Sequence, residues 1–85
     1  MRTARNQITP LEYYLNLTNK ESKIVSSIKT EELTIHDIIA RSGVSYSLAS
    51  KTLSELKSEG IISSYQDGHQ HYYSISNPLI HALIT

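Results

Sequence analysis

The sequence contains no cysteine, no tryptophan and no phenylalanine. Without cysteine there is no disulfide framework, no thiolate metal site and no cysteine nucleophile. Long apolar runs are also missing, and none approaches the ~20 residues needed to span a bilayer. Arg2 and Arg5 stand near the start with no apolar stretch behind them, which is not the pattern of a secretory signal. A net charge of either sign is absent too: eight Lys plus Arg balance eight Asp plus Glu. Total charge therefore does not select a polyanion as partner. These absences lead us to expect a soluble, cytoplasmic chain whose 85 residues make one small domain.

What is present is unevenly placed. Residues 1–11 carry Arg2 and Arg5, for +2; residues 12–37 carry three lysines and five acids, for −2. Residues 38–60 carry Arg41, Lys51 and Lys57 against Glu55 and Glu59, for +1, and residues 61–85 carry only Asp67, for −1. The positive charge lies in the first arm and the middle segment.

Helix starts can be read from hydroxyls and their spacing. Thr9-Pro10-Leu11-Glu12 combines a capping hydroxyl, a proline where the missing N–H costs nothing, and a glutamate that closes a capping box. Leu11, Tyr14 and Leu15 follow as an apolar stripe. A second helix is predicted from about Asn19 to Lys29, with Ile24, Val25 and Ile28 on its buried face. Thr34 caps a third helix with Asp37 as its partner; Ile35, Ile38 and Ile39 form its face, and Gly43 stops it. Ser45 caps a fourth helix that runs to about Glu59 and ends at Gly60.

After Gly60 the period changes to that of strands. Residues 61–66 and 71–75 read as a hairpin joined by Asp67-Gly68-His69-Gln70. Asn77-Pro78 opens a last helix with Leu79, Ile80, Leu83 and Ile84 on one face. The order is mainly α with a small β-hairpin, and a tight Gly turn between two helices followed by a hairpin describes a winged helix-turn-helix.

In the fourth helix, Ala49, Thr52, Leu53 and Leu56 share one side, while Ser47, Ser50, Lys51, Ser54 and Ser58 share the other. Short hydroxyls allow close approach to base edges, and Lys51 supplies charge or a guanine contact. The same composition suits a solvated face; the hairpin behind the helix favours a recognition helix.

From Glu32 to Ile75 the sequence resembles the winged helix-turn-helix repressors of the ArsR family, with MarR-type regulators a looser match. The resemblance is carried by Glu32-Leu33-Thr34-Ile35-His36-Asp37-Ile38, Ser42-Gly43-Val44-Ser45, the run from Leu53 to Ile62, and Asp67-Gly68 followed by His71-Tyr72-Tyr73-Ser74-Ile75. It implies a homodimeric, sequence-specific binder of double-stranded DNA, with recognition contacts on Ser45, Tyr46, Ser47, Ser50, Lys51 and Ser54. The wing tip, His69 and Gln70, would meet the minor groove or backbone. Arg2 and Arg5 would form a flexible DNA-contacting arm over residues 1–8, although a merely disordered terminus is an equal reading. The first and last helices, the latter at 78–85, would form the dimer interface, unless they simply cover their own subunit's core.

Departures from the family pattern carry information. Thr34 and His36 stand where metal-sensing members have cysteines, so that sensing mode is expected to be lost, and neither metal nor cofactor is expected. The wing is poor in cations, which predicts weak salt dependence. Protonation of His69 and His71 in mild acid would restore charge there. Ile39 and Ala49 exchange the usual small and branched residues where two helices cross. No phosphate loop, confined carboxylate pair or converging Ser/His/Asp set supports catalysis. The rival to DNA binding is a winged helix used for contact with transcription or replication proteins.

Overall fold

The computed structural model describes residues 9–84. Local capping sets where its helices begin. Thr9 and Glu12 close a capping box on α1 (Pro10–Leu15), Thr18 and Glu21 close one on α2 (Asn19–Ile28), and Thr34 and Asp37 close one on α3 (Ile35–Ser42). In each, the N-cap hydroxyl accepts the third backbone N–H while the acidic side chain takes the N-cap N–H, which satisfies two donors that the helix itself leaves over. The box at Thr18 was not part of the sequence expectation; the other two fall where expected. The fourth helix, α4 (Tyr46–Ser58), starts at Ser45, whose hydroxyl accepts from the Leu48 N–H.

The end of α4 turns the chain into the wing. Gly60 sits at φ 79°, its N–H donates to the Lys57 carbonyl, and the Ile61 N–H donates to the Leu56 carbonyl. This nested pair of bonds is a Schellman motif. The hydrophobic contact that usually accompanies it joins two fully buried side chains, Leu56 and Ile61.

The hairpin pairs β1 (Ile62–Asp67) with β2 (Gln70–Ile75), from Ile62 opposite Ile75 to Asp67 opposite Gln70. Asp67 and Gln70 are thus strand residues, and the expected four-residue connection shrinks to Gly68-His69. Positive φ falls at Gly68 alone (67°), as in the hairpin turns that place glycine first and match the right-handed strand twist. A further bridge was not foreseen: Leu33, just before α3, exchanges both backbone bonds with Tyr73, at 3.0 and 2.8 Å. It ties the wing to the entrance of the helix-turn-helix. The chain then enters α5 (Pro78–Ile84), whose first N–H groups are taken by the Asn77 carboxamide oxygen.

The core draws on every element except α1, with Ile24, Val25, Ile28, Ile38, Ala49, Leu53, Leu56, Ile61 and Ile80 almost fully buried. Tyr13 and Tyr14 of α1 pack against it from outside. The stripes expected on the terminal helices divide in two. Ile80 is buried in its own subunit and Ile84 packs on the core, while Leu15, Leu79 and Leu83 remain 66%, 54% and 55% exposed. No helix among the described residues is long and apolar enough to cross a membrane.

One buried polar atom lacks a partner among the described residues: the Thr52 hydroxyl, on the core side of α4. Such a group costs its desolvation without a compensating bond. Thr52→Val should therefore raise unfolding stability by about 1 kcal/mol. Ala49→Val, three residues away at a fully buried position, should lower it by about 1–3 kcal/mol through overpacking. Urea unfolding of the two variants checks the opposite signs.

Candidate nucleic-acid interface

The site begins at the turn between α3 and α4. Gly43 adopts φ 76° and its N–H donates to the Ile39 carbonyl, so α3 ends abruptly. Val44 is anchored in the core, and Ser45 then caps α4. The turn sets α4 across α3 with one side of the helix pressed inward: Ala49, Thr52, Leu53 and Leu56 are buried. Leu48, Glu55 and Glu59 flank that side and are half-buried.

The rest of α4 is open. Tyr46, Ser47, Ser50, Lys51, Ser54, Lys57 and Ser58 are all exposed. At 100° per residue they fall within about 140° of arc. The serines occupy the middle, with Lys51 at one margin and Tyr46 and Lys57 near the other. Lys57 belongs to this face, although the sequence reading left it out. Its angle around the helix places it beside Ser50, a relation that the sequence already contained. Ser45 lies at the near end of the arc; its hydroxyl oxygen is occupied by the cap, and the hydroxyl proton remains able to donate.

On the wing, His69 occupies the turn and Gln70 the first paired position of β2. His69 thus lies in the connection, where the sequence placed it, and Gln70 has moved into the strand. The Gln66 carboxamide donates to the Gly68 carbonyl at 3.0 Å and closes the turn from below. Tyr65 and Tyr72 are cross-strand partners with stacked rings 5.4 Å apart. The Tyr65 hydroxyl donates to Glu32 at 2.7 Å, which holds its proton above the usual phenol range. Tyr73, by contrast, packs against the core. Two of the three hairpin tyrosines thus stiffen the wing while the third anchors it. Arg2 and Arg5 lie outside the described residues.

A second connection reaches α4 from the first helix. The Tyr13 hydroxyl donates to Glu55 at 3.4 Å. Burial, and after it the charges of Glu55, Glu21 and Glu59, push the Tyr13 phenol up to about 12. It therefore stays a neutral donor at physiological pH. On α3, the His36 ring lies 6.3 Å from that of Tyr46 at the start of α4. Among the described residues, no group of three or more His, Asp or Glu is placed to hold a metal ion.

No protein-family model matches the sequence, and no curated protein matches it. Solved structures do. A protein from E. coli described as a predicted DNA-binding transcriptional regulator superposes with a TM-score of 0.80 at 24% identity, over 98% of this chain and 87% of that one. The homodimeric winged helix-turn-helix DNA-binding domain of Mb0332 from Mycobacterium bovis, an ArsR-family candidate, gives 0.77 at 24% identity, over 98% and 78%. The transcriptional repressor BigR from Xylella fastidiosa gives 0.79 at 18% identity, over 99% and 85%. At such identities the shared property is the fold, a winged helix-turn-helix.

Because the Tyr13 phenol titrates higher in the folded protein (about 12) than its ordinary value of 10.0, the folded state holds this proton more tightly. Its contribution is complete below pH 10 and is lost as pH rises toward 12. The stability difference between the wild type and Tyr13→Phe should therefore shrink or reverse across that interval. Guanidinium unfolding of both proteins at closely spaced alkaline pH values measures it.

Proposed function

We propose that this chain is a sequence-specific, double-stranded-DNA-binding transcriptional regulator of the ArsR type, a repressor like BigR, acting as a homodimer in the cytoplasm. The observation that carries this reading is the open arc of α4: hydroxyls flanked by two lysines, without an acid, on a helix set by a tight turn and backed by a braced hairpin. Ser47, Ser50 and Ser54 are short enough for the helix to sit deep in a major groove. Lys51 and Lys57 reach outward from the two margins of the arc, a spacing suited to phosphates on either wall of the groove. Ser45 and Tyr46 stand at the N-terminal end, which leads into the groove in helix-turn-helix docking. His69 and Gln70 form the wing contact, and Arg2 and Arg5 are assigned to phosphates beyond it.

The dimer is supported by the apolar side chains that α1 and α5 leave outside. The two helices pack against each other, and Leu15, Leu79 and Leu83 point away from the core that their neighbours join. A two-fold pairing through this surface would present two copies of α4 to one side, about 34 Å apart on a pseudo-palindromic site. Mb0332, with which the fold is shared, is itself homodimeric.

Two measurements test the reading. Duplex binding should weaken as salt rises, and Lys51→Glu should reduce affinity about tenfold or more and lower the salt slope by about 1 per subunit. Fluorescence anisotropy with a duplex selected from a random pool provides the readout; association insensitive to both salt and Lys51 would overturn the assignment. Separately, Leu79→Lys combined with Leu83→Lys alters only exposed side chains, so the fold should persist. Sedimentation velocity should then show the monomer in place of the dimer.

A further inference from the structure

Away from the α4 arc, an open cavity of about 450 Å³ lies between α2 and the end of α3, lined by Lys23, Ser26, Ser27, Lys29, Arg41 and Ser42. Its size is that of a small-molecule site, but its walls hold no aromatic and no large apolar side chain on which to bury a ring or an acyl chain. What it gathers is positive charge. Three of the six Lys and Arg side chains among the described residues line it, in a chain whose total charge is zero.

The three cations differ in their state. Arg41 is already positioned: one guanidinium nitrogen donates to the Ser27 carbonyl at 3.3 Å and the other to Glu31 at 2.9 Å. A guanidinium has five N–H donors, so three remain after these bonds. Lys23, Lys29 and the Ser26 hydroxyl have no hydrogen-bonding or ion-pair partner among the described residues. The carboxylates acting on the cluster are Glu31, which is tied to Arg41, and Asp37, whose field also reaches Arg41.

Lys29 adds a conformational observation. It ends α2 at φ 51°, ψ −120°, and among the described residues it is the one non-glycine with positive φ. A lysine there accepts backbone strain that glycine would avoid. Strain of this kind persists where the surrounding structure overrides it, and it is concentrated at ligand sites. At this position the strained residue is also a cation on the cavity wall.

We propose that this cavity binds a phosphate group, carried either by the backbone of a duplex or by a free phosphate ester. Lys23, Lys29, Ser26 and the remaining Arg41 N–H groups are more donors than the two oxygens of a carboxylate can use. A free phosphate ester presents three acceptor oxygens with a dianion's charge to match; a backbone phosphodiester, a monoanion with two free oxygens, would use only part of the set. Ser27 and Ser42 have committed their hydroxyl protons to the Ile24 and Ile38 carbonyls and act as wall rather than donors. The site lies apart from the α4 arc, although Ser42 is only three residues from the cap of α4.

The test uses the full chain, uniformly labelled with 15N, and pyrophosphate as the probe. Amide shifts should saturate in the millimolar range or below and be confined to residues 23–29 and 41–42. The double variant Lys23→Gln/Lys29→Gln should lose at least tenfold in affinity. Lys29→Gly should weaken binding while raising the thermal unfolding midpoint, a combination that separates loss of the cation from loss of the fold. A second arm identifies the source. If a DNA phosphate fills the cavity, the double variant lowers the salt slope of duplex binding by about 1 per subunit, the share of that one phosphate; an unchanged slope with pyrophosphate binding assigns the free ester. Shifts that fail to saturate or survive in the double variant, together with an unchanged slope, overturn the site. A duplex that does not bind the wild type counts against the α4 reading, and the pyrophosphate arm then decides this one alone.

Discussion

Burial of one side of α4 is the constraint from which the remainder follows. Ala49, Thr52, Leu53 and Leu56 lie on that side, and the helix packs through it onto α2, α3 and the first wing strand. Packing at interior density fixes the helix about its own axis. Once those four residues are inside, the serines, Lys51 and Lys57 have nowhere to be except outside. The exposed arc is thus a consequence of core packing, and Ala49, in the middle of the buried side, leaves room for the crossing helix. The cost is visible in the same place, where Thr52 carries a hydroxyl into the core without a partner among the described residues.

The wing is held by bonds of a different kind. Backbone exchange between Leu33 and Tyr73 is part of a ladder and is indifferent to side-chain charge, whereas the Tyr65–Glu32 bond lies at the surface and is open to screening. The hairpin is therefore anchored at its base and adjustable toward its tip, where His69 stands. Tyr13 makes a comparable link to α4 through Glu55. A helix with outward apolar residues is in this way joined by one hydrogen bond to the helix that bears the serine face. Arg41, a cation in the charge-rich middle of the sequence, is spent on tying α3 to the end of α2 and lines a separate cavity.

Much of the fold was legible because its signals are local. Hydroxyls followed three residues later by an acid announced the starts of α1 and α3, and glycines marked the ends of α3 and α4, since capping depends on a few adjacent residues. The buried side of α4 was legible for the same reason, its four members being fixed by helical period alone. The hairpin was legible in kind and wrong in detail: Asp67-Gly68 suggested the turn, but strand pairing extended through Asp67 and Gln70, and the glycine took the first turn position instead of the second. Lys57 lies toward the edge of the exposed arc, about 20° from Ser50, so the serine pattern alone does not single it out.

The amino-acid order by itself determined the elements, their caps and which side of each core helix is apolar, because these depend on spacing within one turn or one hairpin. Tertiary structure alone decided which of several apolar residues on α1 and α5 go inward. Ile80 and Tyr13 do, while Leu79 and Leu15 do not, since their burial depends on where a neighbouring element happens to end. It likewise brought Leu33 to Tyr73 and set Lys23 and Arg41 on the wall of one cavity. Contacts between residues so distant in the chain have no periodic trace in it; they exist only once the packed helices have closed the intervening loops.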